Sequence, residues 1–481
     1  MNVPRLARTK IVVTLGPATQ SPEMIEALIE EGVNVFRLNM SHLDHATAGA
    51  MIERIRAASD RVAIMADLQG PKMRVTDVDE VFELTKGERV IVRAGEQLTT
   101  REALYVPAGD LVSILEPGQR VLIDDGRVRL RVTETRAGEF DAEVIAGGPI
   151  KSRKGIACPD VRYRPESYLN AGDRADTAFA VERGVDFIAA SYVSDVDDVT
   201  TLREAMGEEG LAIGIIAKIE SRLGVENIDA ILAHADGMMV ARGDLGVELP
   251  PEEVPLIQKR LIKRAKLVAK PVIVATQMLE SMISSPVPSR AETSDVANAI
   301  LDGTDAMMLS AETSVGAFPL EAVRTLIRVS EHVERETAAP PEHLFNRPAH
   351  GTVEFICRAA AKAASELNVK AIVAFTTTGS TASNMAAYEP RVPVLATTPS
   401  AIVVRKLGLQ YGVHAVQAEH IGRYDIMLYR NVQKLTRAGI LEPSDSIVVI
   451  GGVPVGIPGS TNMLQVGTVE HFLAREPQTD I

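Results

Sequence analysis

Eight short apolar runs, most closing on a polar residue and leading into an amphipathic helical segment, constrain the fold of this chain more than any other feature. They cover residues 10–15, 33–39, 62–67, 185–191, 212–219, 237–241, 271–276 and 306–309. Runs of this length bounded by turn residues read as buried strands, and the segments between them carry helix-start signals. Ser21 precedes Pro22, a residue suited to the first helical position, and Ser289 with Glu292 forms a capping box. Eight repeats of strand and helix predict a closed (β/α)8 barrel, a TIM barrel, whose active site lies at the C-terminal ends of the strands. The polar residues expected there are Thr14, Arg37 with Asn39, Asp67, Ser191, Lys218 with Glu220, Asp244, Thr276, and Ser310 with Glu312.

The alternation stops once. Between the third and fourth runs, over residues 70–166, the chain changes to short β-rich segments such as R-V-L-I-D-D-G-R-V-R-L-R-V, in which Asp125-Gly126 is a hairpin signal. This predicts an all-β domain inserted into the barrel. Past a linker at Pro340-Pro341, a helix and then strands at 371–375, 394–397, 413–418 and 447–450 predict a C-terminal open α/β sheet with helices on both faces. The expected division is therefore a barrel from 1–69 and 167–339, an insertion from 70–166, and a C-terminal domain from 340–481.

Composition excludes several classes. The formal charge is −13, from 51 basic against 64 acidic residues, and with no basic patch this argues against extended contact with nucleic acid. Cys158 and Cys357 are the only cysteines, too far apart for a metal motif or a disulfide framework. No apolar run approaches the roughly 20 residues that span a bilayer. Residues 1–9 carry no apolar signal region, so a cytoplasmic protein without membrane contact is expected.

The chemistry concentrates in I-I-A-K-I-E and M-V-A-R-G-D-L-G. Side chains two apart share one face of a strand, so Lys218 and Glu220 should leave the fifth run together. Asp244 follows the sixth run, between Gly243 and Leu245. Two carboxylates suit a hard divalent cation, and the lysine remains for negative charge on a substrate. In the C-terminal part, the hydroxyl-rich loop Thr376-Thr377-Thr378-Gly379-Ser380-Thr381 opens a helix, where amides and hydroxyls converge on a phosphate.

These segments, with T-K-I-V-V-T-L-G-P-A, N-V-F-R-L-N-M-S-H, K-P-V-I-V-A-T-Q-M-L-E-S-M and S-R-A-E-T-S-D-V-A-N-A-I-L-D-G-T-D-A-M-M-L-S-A-E-T, lie in one collinear series. Over nearly its whole length the chain resembles the pyruvate kinase family. The resemblance implies a central barrel, an inserted β-barrel lid and a C-terminal regulatory domain, assembled as a homotetramer. It implies transfer of the phosphoryl group of phosphoenolpyruvate to ADP, giving pyruvate and ATP, the last step of glycolysis. Carried onto this chain, Glu220 and Asp244 would hold Mg2+ (or Mn2+), and the amides of Gly243 and Asp244 would receive the substrate carboxylate. Lys218 and Arg37 would face the migrating phosphoryl group, while Thr276 with Ser310, near Glu312, would relay a proton to the enolate carbon. Arg74, Lys154, Asn39 and His42 would contact the nucleotide, consistent with the absence of a Walker A loop.

One departure from the family pattern carries a prediction. Relatives bind K+ through residues matching Asn39, Ser41, Asp67 and the carbonyl of Leu68, and a nearby Glu accompanies that site. This chain reads Leu68-Gln69-Gly70-Pro71-Lys72, with Lys72 in place of the Glu. A tethered ammonium would make the monovalent ion redundant and repel it, so activity without K+ is expected. Ala171-Gly172-Asp173 and Leu223 also depart from the pattern, without an evident chemical consequence. The loop 376–381 matches the position where the family holds a phosphate of an allosteric effector, and a phosphorylated activator is expected there. The alternatives are a Mg2+-dependent pyruvate-enolate lyase or aldolase on the same barrel, which would need no nucleotide lid, and a catalytically silent metabolite sensor.

Overall fold

In this computed structural model, residues 8–165, 167–337, 351–457, 459–474 and 476–477 are described. The expected linker at Pro340-Pro341 and the end of the insertion at residue 166 lie outside them. Eight parallel strands close the barrel: β1 (Lys10–Thr14), β2 (Val35–Asn39), β3 (Ala63–Asp67), β4 (Phe187–Ala190), β5 (Gly214–Ile219), β6 (Gly237–Ala241), β7 (Val272–Ala275) and β8 (Ala306–Leu309). Each pairs with its neighbours in sequence, and β8 returns to β1, where Lys10 stands opposite Ala306. Because both faces of every strand are covered, the strands are almost entirely buried and read as apolar runs rather than alternating ones. Val12, Val35, Met65, Ile216, Met239, Ile273 and Met308 fill the interior, whereas the residues between them face the helices.

Local signals fix the surrounding helices. Ser21 accepts a hydrogen bond from the Met24 amide at the start of Pro22–Glu31, and Gly32 ends that helix at φ 109°, a conformation that favours glycine. Both halves of the Ser289/Glu292 capping box form at the start of Arg290–Leu301. A second capping box, Asp195 with Asp198, starts Val196–Met206.

The insertion has its own buried core. Its described strands form an open six-stranded sheet with a separate two-stranded pair, rather than the single closed barrel expected for the lid, and a short helix, Gly109–Ile114, interrupts the strands. The expected hairpin joins Arg120–Ile123 to Val128–Arg136 through Asp124, Asp125 and Gly126, all at positive φ.

The C-terminal sheet contains Ala371–Phe375, Val394–Thr398, Val413–Gln417 and Ser446–Gly452 in parallel, with buried clusters on both faces. Three elements were not legible in the sequence, one of them the short helix Val469–Leu473. Thr461–Thr468 adds an antiparallel edge strand whose residues are mostly exposed or half-buried, so no apolar run marks it. Tyr424–Arg437 covers one face as a helix. This unit seals the N-terminal end of the barrel: Leu409 belongs to the interior cluster, and Arg405 Nε bonds Asp186 Oδ1 at 2.7 Å just before β4. Cys158 and Cys357 are both buried, and burial pushes the Cys158 thiol well above its ordinary range.

Candidate active site

Lys218, the penultimate residue of β5, is the centre of a buried cluster at the C-terminal mouth of the barrel. Its ammonium lies 3.1 Å from Asp67 Oδ1 on β3, 3.1 Å from Glu220 Oε1 and 2.5 Å from Ser191 Oγ after β4. Three neighbouring strands thus deliver three oxygens to one nitrogen. Burial lowers the Lys218 pKa, but the Asp67 and Glu220 carboxylates outweigh it and raise the pKa above the ordinary value. The lysine is a fixed cation.

Arg37, two residues before the end of β2, is the second cation. Its Nε donates to Asp67 Oδ2 at 2.6 Å and its Nη1 to Thr14 Oγ1 at 3.0 Å. Asp67 is therefore shared by Arg37 and Lys218, which hold its carboxyl below the usual range although burial pulls the other way.

Burial pushes the Glu220 carboxyl up to about 7, against the pull of Lys218 and with the Asp244 charge adding to the rise. Its other oxygen accepts from the Tyr192 amide at 2.7 Å. Asp244 accepts from the Tyr192 hydroxyl at 3.1 Å and from the Lys72 ammonium. Burial raises the Asp244 carboxyl, but Lys72 wins and lowers it. A mutually repelling pair of carboxylates, Glu220 buried and Asp244 half-buried, is the donor set a divalent cation relieves, so the residues fit Mg2+. Tyr192, which spans this pair from a left-handed φ of 55°, is a site residue that sequence reasoning missed. Its only signal was its position directly after the strand-end Ser191. Glu248 was missed too: it is largely shielded from solvent at the end of the helix Arg242–Glu248, and burial, with Asp244 adding, pushes its carboxyl up to about 7.

Thr276 follows β7 at φ 67°, accepts from the Gly243 amide at 2.8 Å and donates to the Ala275 carbonyl at 2.6 Å. The Gly243 amide expected for a substrate carboxylate is thus held by Thr276. Glu312, placed near the proton relay by the sequence reading, has both oxygens on backbone amides, of Leu279 at 3.1 Å and Ser310 at 2.7 Å. It braces the loops after β7 and β8, leaving hydroxyls alone for any relay. Arg242 ties the same region together through Asp295 at 2.6 Å and the Thr276 carbonyl at 2.7 Å.

The remaining expected residues are more dispersed. Asn39 pairs with Asp67 across β2 and β3, and its Oδ1 accepts from the Ser41 amide at 3.3 Å. The Leu68 carbonyl accepts from Ser191 Oγ at 2.8 Å. His42 is exposed. Within the insertion, Lys154 bonds Asp124 at 2.7 Å and Arg74 donates to the Arg153 carbonyl at 3.0 Å, while the buried Arg74 Nε has no partner among the described residues. Lys72 bonds Asp244 on the barrel and lies 3.9 Å from Asp125 on the insertion, whereas the sequence reading put its charge in the region of Asn39, Ser41 and Asp67. Thr376–Thr381 borders a cavity with Thr397, Thr398, His420 and Ser460, and the Thr376 hydroxyl already accepts from the Gly379 amide at 2.9 Å.

Two fixed cations and two carboxylates fitted to a divalent ion define a barrel enzyme that acts on an anionic substrate by electrostatics and positioning. Comparison with known proteins narrows this class. Residues 6–323 match the family description "Pyruvate kinase, barrel domain" and residues 354–467 match "Pyruvate kinase, alpha/beta domain". The chain is 43% identical over 480 residues to a pyruvate kinase of Geobacillus stearothermophilus, covering 97% of this chain and 81% of that one. It is 40% identical over 475 residues to that of Clostridium acetobutylicum, covering 97% and 100%. A crystal structure of a pyruvate kinase from Cryptosporidium parvum superposes with a TM-score of 0.90 at 32% identity, covering 96% of each chain. The chain belongs to the pyruvate kinase family and is a phosphotransferase, which decides against the lyase and sensor alternatives. No described helix is long and apolar enough to cross a membrane.

Proposed function

We propose that this enzyme moves the phosphoryl group of phosphoenolpyruvate to ADP, giving pyruvate and ATP, in the cytoplasm and as a homotetramer. The observation that carries the residue-level reading is the Lys218 ammonium held between Asp67 and Glu220 at the barrel mouth, with Arg37 on the far side of Asp67. As the phosphoryl group migrates, charge spreads over its oxygens, and two preformed cations stabilise that charge without reorganisation. Glu220 and Asp244 would hold Mg2+ or Mn2+, which when bound supplies positive charge to the carboxylate and enolate oxygens of the three-carbon product.

Thr276 sits between the Gly243 amide and the Ala275 carbonyl, so its hydroxyl is oriented. With Ser310 it forms the proposed route for a proton to the enolate carbon. The unpartnered Arg74 Nε and the Lys154 ammonium, both on the insertion, fit the polyphosphate of a nucleotide bound between barrel and lid, with Asn39 and His42 on the barrel side. The boundaries proposed for these units are 1–69 with 167–339, 70–166 and 340–481. The loop Thr376–Thr381 would close on the phosphate of an activator.

Activity without K+ is part of the proposal. With Glu220 and Asp244 holding a divalent ion, Lys72, which bonds Asp244 here, would supply a tethered monovalent charge beside the substrate. A coupled assay for pyruvate and ATP from phosphoenolpyruvate and ADP tests the reaction itself. Carbon-carbon cleavage, or no ATP, would refute it.

A further inference from the structure

On the N-terminal side of the barrel, opposite the catalytic mouth, a recess of about 320 Å³ separates the barrel floor from the C-terminal helices. From the floor come Asp236, just before β6, and Lys270, just before β7. From the other side come Lys406, at the end of the helix Ala401–Lys406, and Ser380 and Ser383 of the helix Ser380–Ala386. No residue of the proposed catalytic cluster lines it.

The charges in this recess do not balance. Asp236 is already occupied, accepting from Arg203 at 2.6 Å and from the Ile215 amide at 2.8 Å. Lys406 donates to the Ala212 carbonyl at 3.2 Å and, like Lys270, has no carboxylate within ion-pair distance among the described residues. With Asp236 engaged by Arg203, and the nearby Asp186 by Arg56 and Arg405, the Lys270 and Lys406 ammoniums are left without a counter-charge, and two positive charges match a dianion. Burial, and then the neighbouring Arg203 and Lys270, outweigh the nearby carboxylates and lower the Lys406 pKa, so these cations are held close at a cost that an anion would relieve. Hydroxyl donors are at hand: Ser380 Oγ accepts from Thr378 Oγ1 at 3.2 Å, which leaves its own proton to donate. Phe187, Pro271, Val403 and Leu407 supply an apolar wall beside the charges. A solvated surface pair of lysines would need neither the recess nor the wall.

We infer that this recess is a binding site for a phosphate dianion, free or as a small monoester, held by Lys270 and Lys406 from opposite sides of the junction. Thr378 and Ser380 also border the cavity of the hydroxyl loop, so the two sites lie back to back and share a wall. A ligand here joins the barrel floor to the C-terminal helices and restricts the loop from behind. The inference does not depend on the loop binding an effector.

Calorimetric titration of the full chain tests it, with inorganic phosphate and with glycerol 3-phosphate as separate probes. In Lys270→Met/Lys406→Met the number of phosphates bound per chain should fall by one relative to the unmodified protein, with turnover in the absence of added phosphate unchanged. If the double variant does not fold, Lys270→Gln alone should weaken the site about tenfold, the loss of roughly one charge-assisted contact. Tighter binding of the monoester assigns the apolar wall to its organic part, and equal binding assigns the site to free phosphate. Unchanged stoichiometry and affinity in the lysine variants overturns the inference, as does a loss confined to Thr378→Ala. A loss confined to the lysine variants supports it and removes the loop as a phosphate site instead.

Discussion

The Lys72 ammonium bonds the Asp244 carboxylate across the junction of insertion and barrel, and the Tyr192 hydroxyl reaches the same oxygen at 3.1 Å. Gly155 packs against the Lys72 stem, where a Cβ would meet its Cε at 2.7 Å, so the side chain is guided toward the barrel. An ammonium and a divalent cation held by the same carboxylate repel each other. Lys72 therefore competes with the metal that Asp244 is proposed to hold.

In Lys72→Met, Mn2+ followed by electron paramagnetic resonance without substrate should bind more tightly, by about tenfold for one removed competing charge. Equal affinity would show that the ammonium leaves Asp244 at no cost.

The same residue governs the monovalent ion. The unmodified enzyme should keep most of its rate when tetramethylammonium replaces K+, and Lys72→Glu should acquire K+ dependence. A requirement for millimolar K+ in the unmodified enzyme would contradict the role given to Lys72.

Lys10 supplies a stability test with a definite sign. It is fully buried at the start of β1, and burial, opposed by Glu334 and Asp305, lowers its pKa from 10.5 to about 8. Between those values the unfolded chain holds the proton and the folded chain releases it, so stability should rise as pH goes from about 8 to 10.5. At pH 7 the charged lysine costs on the order of 3 kcal/mol, at about 1.4 kcal/mol per pKa unit. Lys10→Met should melt higher at pH 7 and lose the rise on the alkaline side. A variant less stable than its parent at pH 7 would mean that the pairing with Glu334 and Asp305 outweighs burial.

What was legible in the sequence follows from which physical signals are local. Eight strands buried on both faces leave continuous apolar runs, and Lys218 with Glu220 share a face because a strand has a period of two. The edge strand Thr461–Thr468 packs little apolar surface and left no run to read. Tyr192 reaches Glu220 through a backbone amide, and its hydroxyl reaches Asp244 from a left-handed turn, a placement that residue type does not reveal. The Lys72 contacts with Asp244 and Asp125 were not legible, because they depend on how the insertion returns over the barrel, a long-range geometry with no sequence period.

Removal of the central cation tests the electrostatic account most directly. Lys218→Met should reduce kcat for ATP formation from phosphoenolpyruvate and ADP by about a hundredfold or more, the roughly 3 kcal/mol that one preorganised charge contributes to a transition state. Mn2+ binding should persist in that variant, since Glu220 and Asp244 are intact. Turnover like that of the unmodified enzyme would contradict the central claim.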